Sequence, residues 1–223
     1  MDLQAIVFDL DDTLVVKSRE RQELFKEVAA VTGVSSLDEN AYEDAYYEVD
    51  GHETRAPIFE VILDEDSNAA SERIAAAYRD VVNDALEPVD DINHLLEYLS
   101  EELGYRLGVL TDGPAAAQRS KLAHFSWSTH FEEIVVTSEL GAHKPDSVTF
   151  ETICKRLDVP PESAVYVGDK PETDIAGAAA VGMVPIQVRY DGGPDTHPDA
   201  AGTVQRSVLV NELPAVLRDL TGE

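Results

Sequence analysis

Asp9 and Asp11 stand two residues apart in Asp9-Leu10-Asp11-Asp12-Thr13, directly after the apolar run Ala5-Ile6-Val7-Phe8. In extended chain, side chains at i and i+2 share a face, so both carboxylates can address one substrate. Carboxylates held together resist ionising together, so near neutral pH one can keep its proton while the other attacks or holds a metal ion. The pairing suits a nucleophile and an acid. Acids at strand ends also serve as solvated turns and helix caps, so the chemistry depends on what else arrives at the same place.

Three later apolar runs bring partners. Arg106 to Leu110 leads into Thr111-Asp112-Gly113, Glu133 to Val136 leads through Thr137 to Lys144, and Ala164 to Val167 leads through Gly168 to Asp169, with Asp174 beyond it. A hydroxyl, an ammonium and further acids at successive strand ends form a set able to bind a charged substrate. Lys144 carries extra weight because lysines are scarce in this composition. Asp12 alternates to the other face and reads as a turn or hinge residue. The six histidines show no metal-ligand spacing, and His143 reads as a loop residue.

These side chains need a scaffold that gathers strand ends. The four runs, with Val184 to Val188, read as buried strands, because a parallel sheet covered on both faces shows short continuous apolar stretches. Helical patterns lie between them: Leu95, Leu96, Leu99 and Leu103; Phe150 to Leu157 behind the capping candidates Asp146 and Ser147; and Asp174 to Val181 closed by Gly182. Strands alternating with helices predict right-handed crossovers in an α/β fold, a Rossmann-like parallel sheet with helices on both faces. Between Leu14 and Pro88 no strand pattern is evident, but Leu24, Val28 and Val31, then Ile58, Val61 and Ile62, then Ile74, Tyr78, Val81 and Val82 recur at helical spacing. The expectation is a core of residues 1–14 and 89–223 with an inserted helical cap at 15–88, hung over the strand ends where it excludes water and selects substrates. A peripheral hairpin that only stabilises is the alternative.

Composition narrows the setting. Over 223 residues, 44 Asp and Glu against 17 Lys and Arg give a formal charge of −27. The acids are spread along the chain, as in cytoplasmic proteins of salt-accumulating halophiles, where ions screen the repulsion. Such a surface repels nucleic-acid phosphates. No apolar stretch approaches the roughly 18 residues of a membrane span, and the start shows no basic region or cleavage site, so a cytoplasmic location is expected. Cys154, the single cysteine, excludes an internal disulfide and sits at helical spacing with Phe150, Ile153 and Leu157, as a buried apolar residue does.

Taken together, DLDDT, the Thr of LTDG, the Lys of HKPD and GDKPETD resemble motifs I to IV of the haloacid dehalogenase superfamily, over nearly the whole chain and with the helical cap between motifs I and II. The resemblance implies that Asp9 attacks phosphorus to form an aspartyl phosphate, dividing one hard step into two, and that Asp11 protonates the leaving alcohol and then deprotonates water. It implies Mg²⁺ held by Asp9, the Asp11 carbonyl and Asp169; Thr111 and backbone N–H groups at Asp112 and Gly113 on a phosphoryl oxygen; Lys144 as compensating charge; and Asp174 in support. Asp112 stands where many relatives carry Asn, which leaves a tuned pocket or a side chain turned away. Arg19, Arg21 and Arg55, with Lys17, are candidate cap contacts to a substrate, or surface ion pairs. The implied activity is hydrolysis of a small phosphate ester. A phosphomutase keeps both acids; a true haloacid dehalogenase typically lacks the acid at i+2, because halide leaves without a proton. A receiver-like phosphoacceptor module would be shorter and uncapped. Monomer and homodimer both stay open.

Overall fold

A computed structural model of the chain describes residues 2–34, 36–49, 53–63 and 68–222. In chain order the elements are β1 (Ala5–Phe8), β2 (Val15–Lys17), α1 (Arg21–Thr32), α2 (Glu39–Glu48), α3 (Ala56–Leu63), α4 (Asn68–Asp84), β3 (Leu86–Pro88), α5 (Ile92–Glu97), β4 (Arg106–Thr111), α6 (Ala115–His124), β5 (Glu133–Val136), α7 (Ser147–Arg156), β6 (Ala164–Gly168), α8 (Gly177–Ala180), β7 (Val184–Arg189), β8 (Gly202–Gln205) and α9 (Leu209–Thr221).

Six strands form one parallel sheet in the order β5-β4-β1-β6-β7-β8. The order reverses at β1: the chain builds outward through β4 and β5 on one side, then through β6, β7 and β8 on the other. A crevice opens beyond the carboxyl ends at such a reversal. All five expected strands are present, and β1, β4, β6 and β7 are buried on both faces along nearly their whole length. Along β1 and its neighbours alternate residues divide between two apolar clusters. Ile6, Phe8, Leu107, Val109, Val165 and Val167 join one; Ala5, Val7, Leu110, Ala164 and Tyr166 join the other, with Phe150, Ile153 and Cys154 of α7. That two-residue alternation aims every strand-end side chain.

The long segment after β1 is helical in its described parts, residues 35, 50–52 and 64–67 lying outside them. An expectation of no strand between Leu14 and Pro88 is corrected: β2 and β3 pair antiparallel as a two-stranded ribbon, Val15 opposite Pro88, where the chain leaves and re-enters the sheet layer. Each strand has three residues, too few to leave a periodic signature. The edge strand β8 escaped prediction because only Val204 in Gly202–Gln205 is buried. Phe25, Tyr42, Phe59 and Tyr78, from α1 to α4, pack ring against ring at 5.3 to 5.8 Å. Two of the residues with helical spacing turn outward: Val31 is 69% and Val61 56% exposed, because the inner stripes end at Leu24, Phe25 and Val28 on α1 and at Ile58 and Phe59 on α3. Asn83 Nδ2 donates to Ser120 Oγ at 2.7 Å, and Ala116 N to Glu53 O at 2.9 Å, fastening these helices to α6. Among the described residues no helix is long and apolar enough to cross a membrane.

Phe59 is fully buried at the centre of the ring cluster. Phe59→Ala is expected to lower unfolding stability by about 3–5 kcal/mol in urea titration, and a loss below about 1 kcal/mol would show that the cluster has collapsed around the gap.

Candidate active site

Lys144 anchors the site. It lies between β5 and α7, and its Nζ donates to Asp9 Oδ1 at 2.9 Å, Asp174 Oδ1 at 2.7 Å and Tyr166 Oη at 3.0 Å. Asp9 continues β1, its N–H donating to Val167 O of β6 at 2.9 Å, while Asp174 sits in a widened turn, Pro171–Ala176, after β6. All four side chains are buried. The second oxygen of Asp174 accepts from Lys170 N at 3.0 Å and packs over Gly168, where an added Cβ would come within 2.6 Å of it. A side chain at Gly168 would therefore displace the acid that holds the lysine.

The Asp112 carboxylate is bonded to the loop that follows β5. Its Oδ1 accepts from Thr137 Oγ1 at 2.6 Å and from the Lys144 N–H at 3.2 Å, so it fixes the loop that delivers the lysine. Asp146 begins α7 without a side-chain cap: its carbonyl, not its carboxylate, receives the Thr149 N–H and hydroxyl.

Asp11 goes elsewhere. Lys121 Nζ of α6 donates at 2.6 Å to both of its oxygens, and Gln118 Nε2 at 2.9 Å to Oδ2. The same amide reaches Thr111 Oγ1 at 2.8 Å and Asp112 O at 2.5 Å, while its own Oε1 is buried without a partner. β1 ends at Phe8, and beyond it the amides of Leu14 and Val15 fold back onto Leu10 O. Asp12 adopts φ 60°, with its carbonyl accepting from Arg206 Nη1 at 3.1 Å, a turn residue as expected. The carboxylates that do gather are Asp9, Asp169 and Asp174, each with an oxygen within 4.8 Å of the others.

Burial, opposed by Lys144 and reinforced by Asp174, pushes the Asp9 carboxyl up to about 6; burial with the charges of Asp9 and Asp174 pushes Asp169 up to about 7. Burial also acts on Asp11, but the Lys121 ammonium and the Gln118 amide outweigh it and hold that carboxyl well below its ordinary range. The two carboxyls of the pair are thus shifted in opposite directions. Burial works against the Lys144 ammonium, and Asp174 and Asp9 more than restore it. Lys144 occupies one oxygen of Asp9 and of Asp174, and the Asp169 Oδ1 atom is buried with no donor. An all-oxygen cluster with an orphaned carboxylate oxygen has the donor chemistry of a hard divalent cation, which Asp9 and Asp169 could hold.

Above Asp11 and Gly113 a cavity of about 290 Å³ opens toward the helical insert, walled there by Arg55, Tyr42, Tyr46 and Tyr78. Arg55 donates from Nε to Tyr42 Oη at 2.7 Å and lies over the Tyr78 ring, 5.4 Å from its centre. Arg21 lines the cavity but is paired with Glu43 at 2.5 Å, and Arg19 pairs with Glu27 and lines a neighbouring cavity. Gln118, Lys121 and Tyr166 were not predicted. Gln118 and Lys121, one helical turn apart, are polar residues on the inner face of α6, and Tyr166 is hidden within an apolar run.

A carboxyl with a higher pKa folded than unfolded keeps a proton that the unfolded chain has released. The metal-free protein should therefore lose stability as pH rises from about 4 to about 7 through Asp9 and Asp169, whereas the Asp11 contribution is present above the usual carboxylate pKa and lost on acidification. In urea titrations with chelator at pH 5 and 7.5, wild type should lose roughly 1–3 kcal/mol more than Asp169→Asn over that interval, and equal losses would contradict the assignment.

Residues 6–188 match the haloacid dehalogenase-like hydrolase family. The chain is 31% identical over 206 residues to a glyceraldehyde 3-phosphate phosphatase of Methanopyrus kandleri, covering 88% of each. It is 29% identical over 234 residues to the protein of the same name in Pyrococcus furiosus, covering 99% of this chain and 94% of that one. A solved 2-haloacid dehalogenase of Pseudomonas syringae superimposes with a TM-score of 0.72 over 98% of this chain and 99% of its own, at 21% identity, a likeness of fold. With the order-reversing parallel sheet and the four motif residues gathered at its carboxyl edge, the chain belongs to the haloacid dehalogenase-like hydrolases.

Proposed function

We propose that the protein is a Mg²⁺-dependent phosphatase that hydrolyses the monoester of a small phosphorylated metabolite through an aspartyl phosphate on Asp9. The observation that carries this reading is the buried carboxylate cluster at the end of β1, with one ammonium, Lys144, shared between Asp9 and Asp174 and an oxygen of Asp169 left without a donor. The phosphatase names of the relatives that match along most of the chain support the same reaction class. Residues 15–88 act as the cap and close the cavity over the strand ends.

Asp9 attacks phosphorus as the carboxylate, the bond from phosphorus to the ester oxygen breaks, and the departing oxygen takes a proton from Asp11. Water then attacks the aspartyl phosphate, gives its proton to Asp11, and releases inorganic phosphate and the free Asp9 carboxylate. The ion pair with Lys121 favours the ionised form of Asp11, the form that accepts a proton in the second half-reaction; donation in the first requires that carboxyl to leave Lys121. Thr111 offers its hydroxyl to a phosphoryl oxygen, and Lys144 balances the charge that builds on the transferring group. Asp9, Asp169 and the Asp11 carbonyl would hold Mg²⁺, which when bound would supply the positive charge that offsets repulsion between the attacking carboxylate and a phosphate dianion. Positive charge beside Asp9 and Asp169 also favours their ionised forms, against the burial that raises their pKa values.

With p-nitrophenyl phosphate in molar KCl, turnover should require Mg²⁺ and disappear with chelator. Asp9→Asn should lower kcat by about 10³-fold or more, equivalent to about 4 kcal/mol of barrier. Full activity in Asp9→Asn would eliminate this mechanism. Turnover of 2-chloropropionate in place of phosphate esters would reassign the reaction to halide displacement.

A further inference from the structure

In a chain with 44 acids and 17 basic residues, five of the 17, Lys17, Arg21, Arg55, Lys121 and Lys170, line one cavity. Four acids share that lining, Asp11, Asp12, Glu43 and Asp112, so the walls carry a small positive excess inside a protein of formal charge −27. Two of the five are neutralised locally, Lys121 by Asp11 and Arg21 by Glu43. Among the described residues Lys17, Arg55 and Lys170 have no carboxylate within 4.0 Å.

These cations divide by place. Lys170 follows Asp169 directly, and its backbone is tied to Asp174, so it belongs with Lys144 at the floor, where the transferring phosphoryl group would sit. Arg55 stands at the opposite wall, immediately before α3. Its segment is held over the start of α6 by the bond from Ala116 N to Glu53 O at 2.9 Å, and its carbonyl accepts the Ile58 and Phe59 amides as α3 begins. The guanidinium is therefore positioned by backbone, with Tyr42 as its one hydrogen-bond partner among the described residues. An arginine with one neutral partner and no acid retains most of its donors for a ligand, and its planar fork suits an oxyanion. A cavity of about 290 Å³ fits a small metabolite, being below the roughly 300–1,000 Å³ of pockets for drug-sized ligands.

We infer that the substrate carries a second oxyanion, a phosphate or a carboxylate, at the end remote from the bond cleaved, and that Arg55 receives it against the wall of Tyr42 and Tyr78. Selectivity for doubly anionic metabolites then follows from a cation with no carboxylate partner among the described residues. The inference rests on the phosphatase reading above and is narrower than it. The relatives named for glyceraldehyde 3-phosphate act on a molecule with a neutral far end, so the inference separates this chain from them.

Three probes test it: fructose 1,6-bisphosphate, 3-phosphoglycerate and glyceraldehyde 3-phosphate, the first two with a second oxyanion and the third without. Wild type should show kcat/KM at least about tenfold higher for one of the first two than for the third, the scale of one charge-assisted hydrogen bond. Arg55→Gln should reduce that ratio by about tenfold, chiefly through KM, and Arg55→Lys should restore part of it, which a folding defect would not. Which of the first two probes is favoured identifies the oxyanion as phosphate or carboxylate. Preference for glyceraldehyde 3-phosphate, or an equal loss on all three substrates in Arg55→Gln, would overturn the inference while leaving phosphatase action intact. Absence of p-nitrophenyl phosphate hydrolysis in wild type would overturn the phosphatase reading itself, and this inference with it.

Discussion

One buried ammonium holds the carboxyl edge of the sheet together. Lys144 arrives from the loop after β5, crosses the end of β4, and meets Asp9 at the end of β1 and Asp174 in the turn after β6. Three separate crossover units are thereby tied to one atom, and each depends on the others. Removing a partner from a buried charge set leaves an uncompensated charge in low dielectric, which costs about 3–5 kcal/mol. Much of the nearby architecture serves this contact. Gly168 has no side chain because Asp174 occupies the space above it, and Gly177 has none because a Cβ would lie within 2.9 Å of Phe150 and Pro145, on the segment that brings Lys144 in. Asp112 and Thr137 steady the backbone of the lysine, and Tyr166 shares its hydrogen bonds from beneath.

Such an arrangement is possible because sheet order and residue alternation were fixed first. β1 is the central strand on which the chain reverses direction, so its end is flanked by β4 and β6, and the side chains just beyond these strands meet without long loops. The helices between β2 and β3 then need only to be held over that edge, which the contacts from Asn83 to Ser120 and from Glu53 to Ala116 accomplish.

Much of this was legible in the residues. Five strands, the helical insert and the meeting of Asp9, Lys144, Asp169 and Asp174 follow from apolar runs that end in polar residues, because burial on both faces leaves so plain a pattern. What escaped did so for identifiable reasons. Ribbon strands of three residues are too short for periodicity, and β8 at the sheet edge buries one residue. Gln118 and Lys121 escaped because α6, Ala115–His124, buries polar side chains against Asp11, and a hydrophobic pattern cannot register a face defined by hydrogen bonds. Arg19 and Arg21 could not be distinguished from Arg55 by type; only the positions of Glu27 and Glu43 show which cations are already neutralised.

The opposite shifts of Asp9 and Asp11 follow from the ratio of charges on each side of the site. On the Asp9 side three carboxylates crowd together, and Lys144 is the ammonium bonded to two of them, so acids exceed the cations that touch them and burial pushes Asp9 and Asp169 up. On the Asp11 side one carboxylate has one ammonium on both its oxygens and an amide besides, so the negative charge is balanced and the pKa falls. Lys121 is bonded to both oxygens of Asp11, whereas among the described residues Asp169 has no ammonium within 4.0 Å and feels Lys170 only at longer range. The resulting deficit of positive charge lies at the end of β1, where the mechanism proposed above places a divalent cation and the phosphoryl group together. Full neutralisation there by the chain's own side chains would remove the attraction for such a cation. Partial neutralisation by a shared lysine keeps the acids close enough to act as one ligand set and leaves that set short of charge.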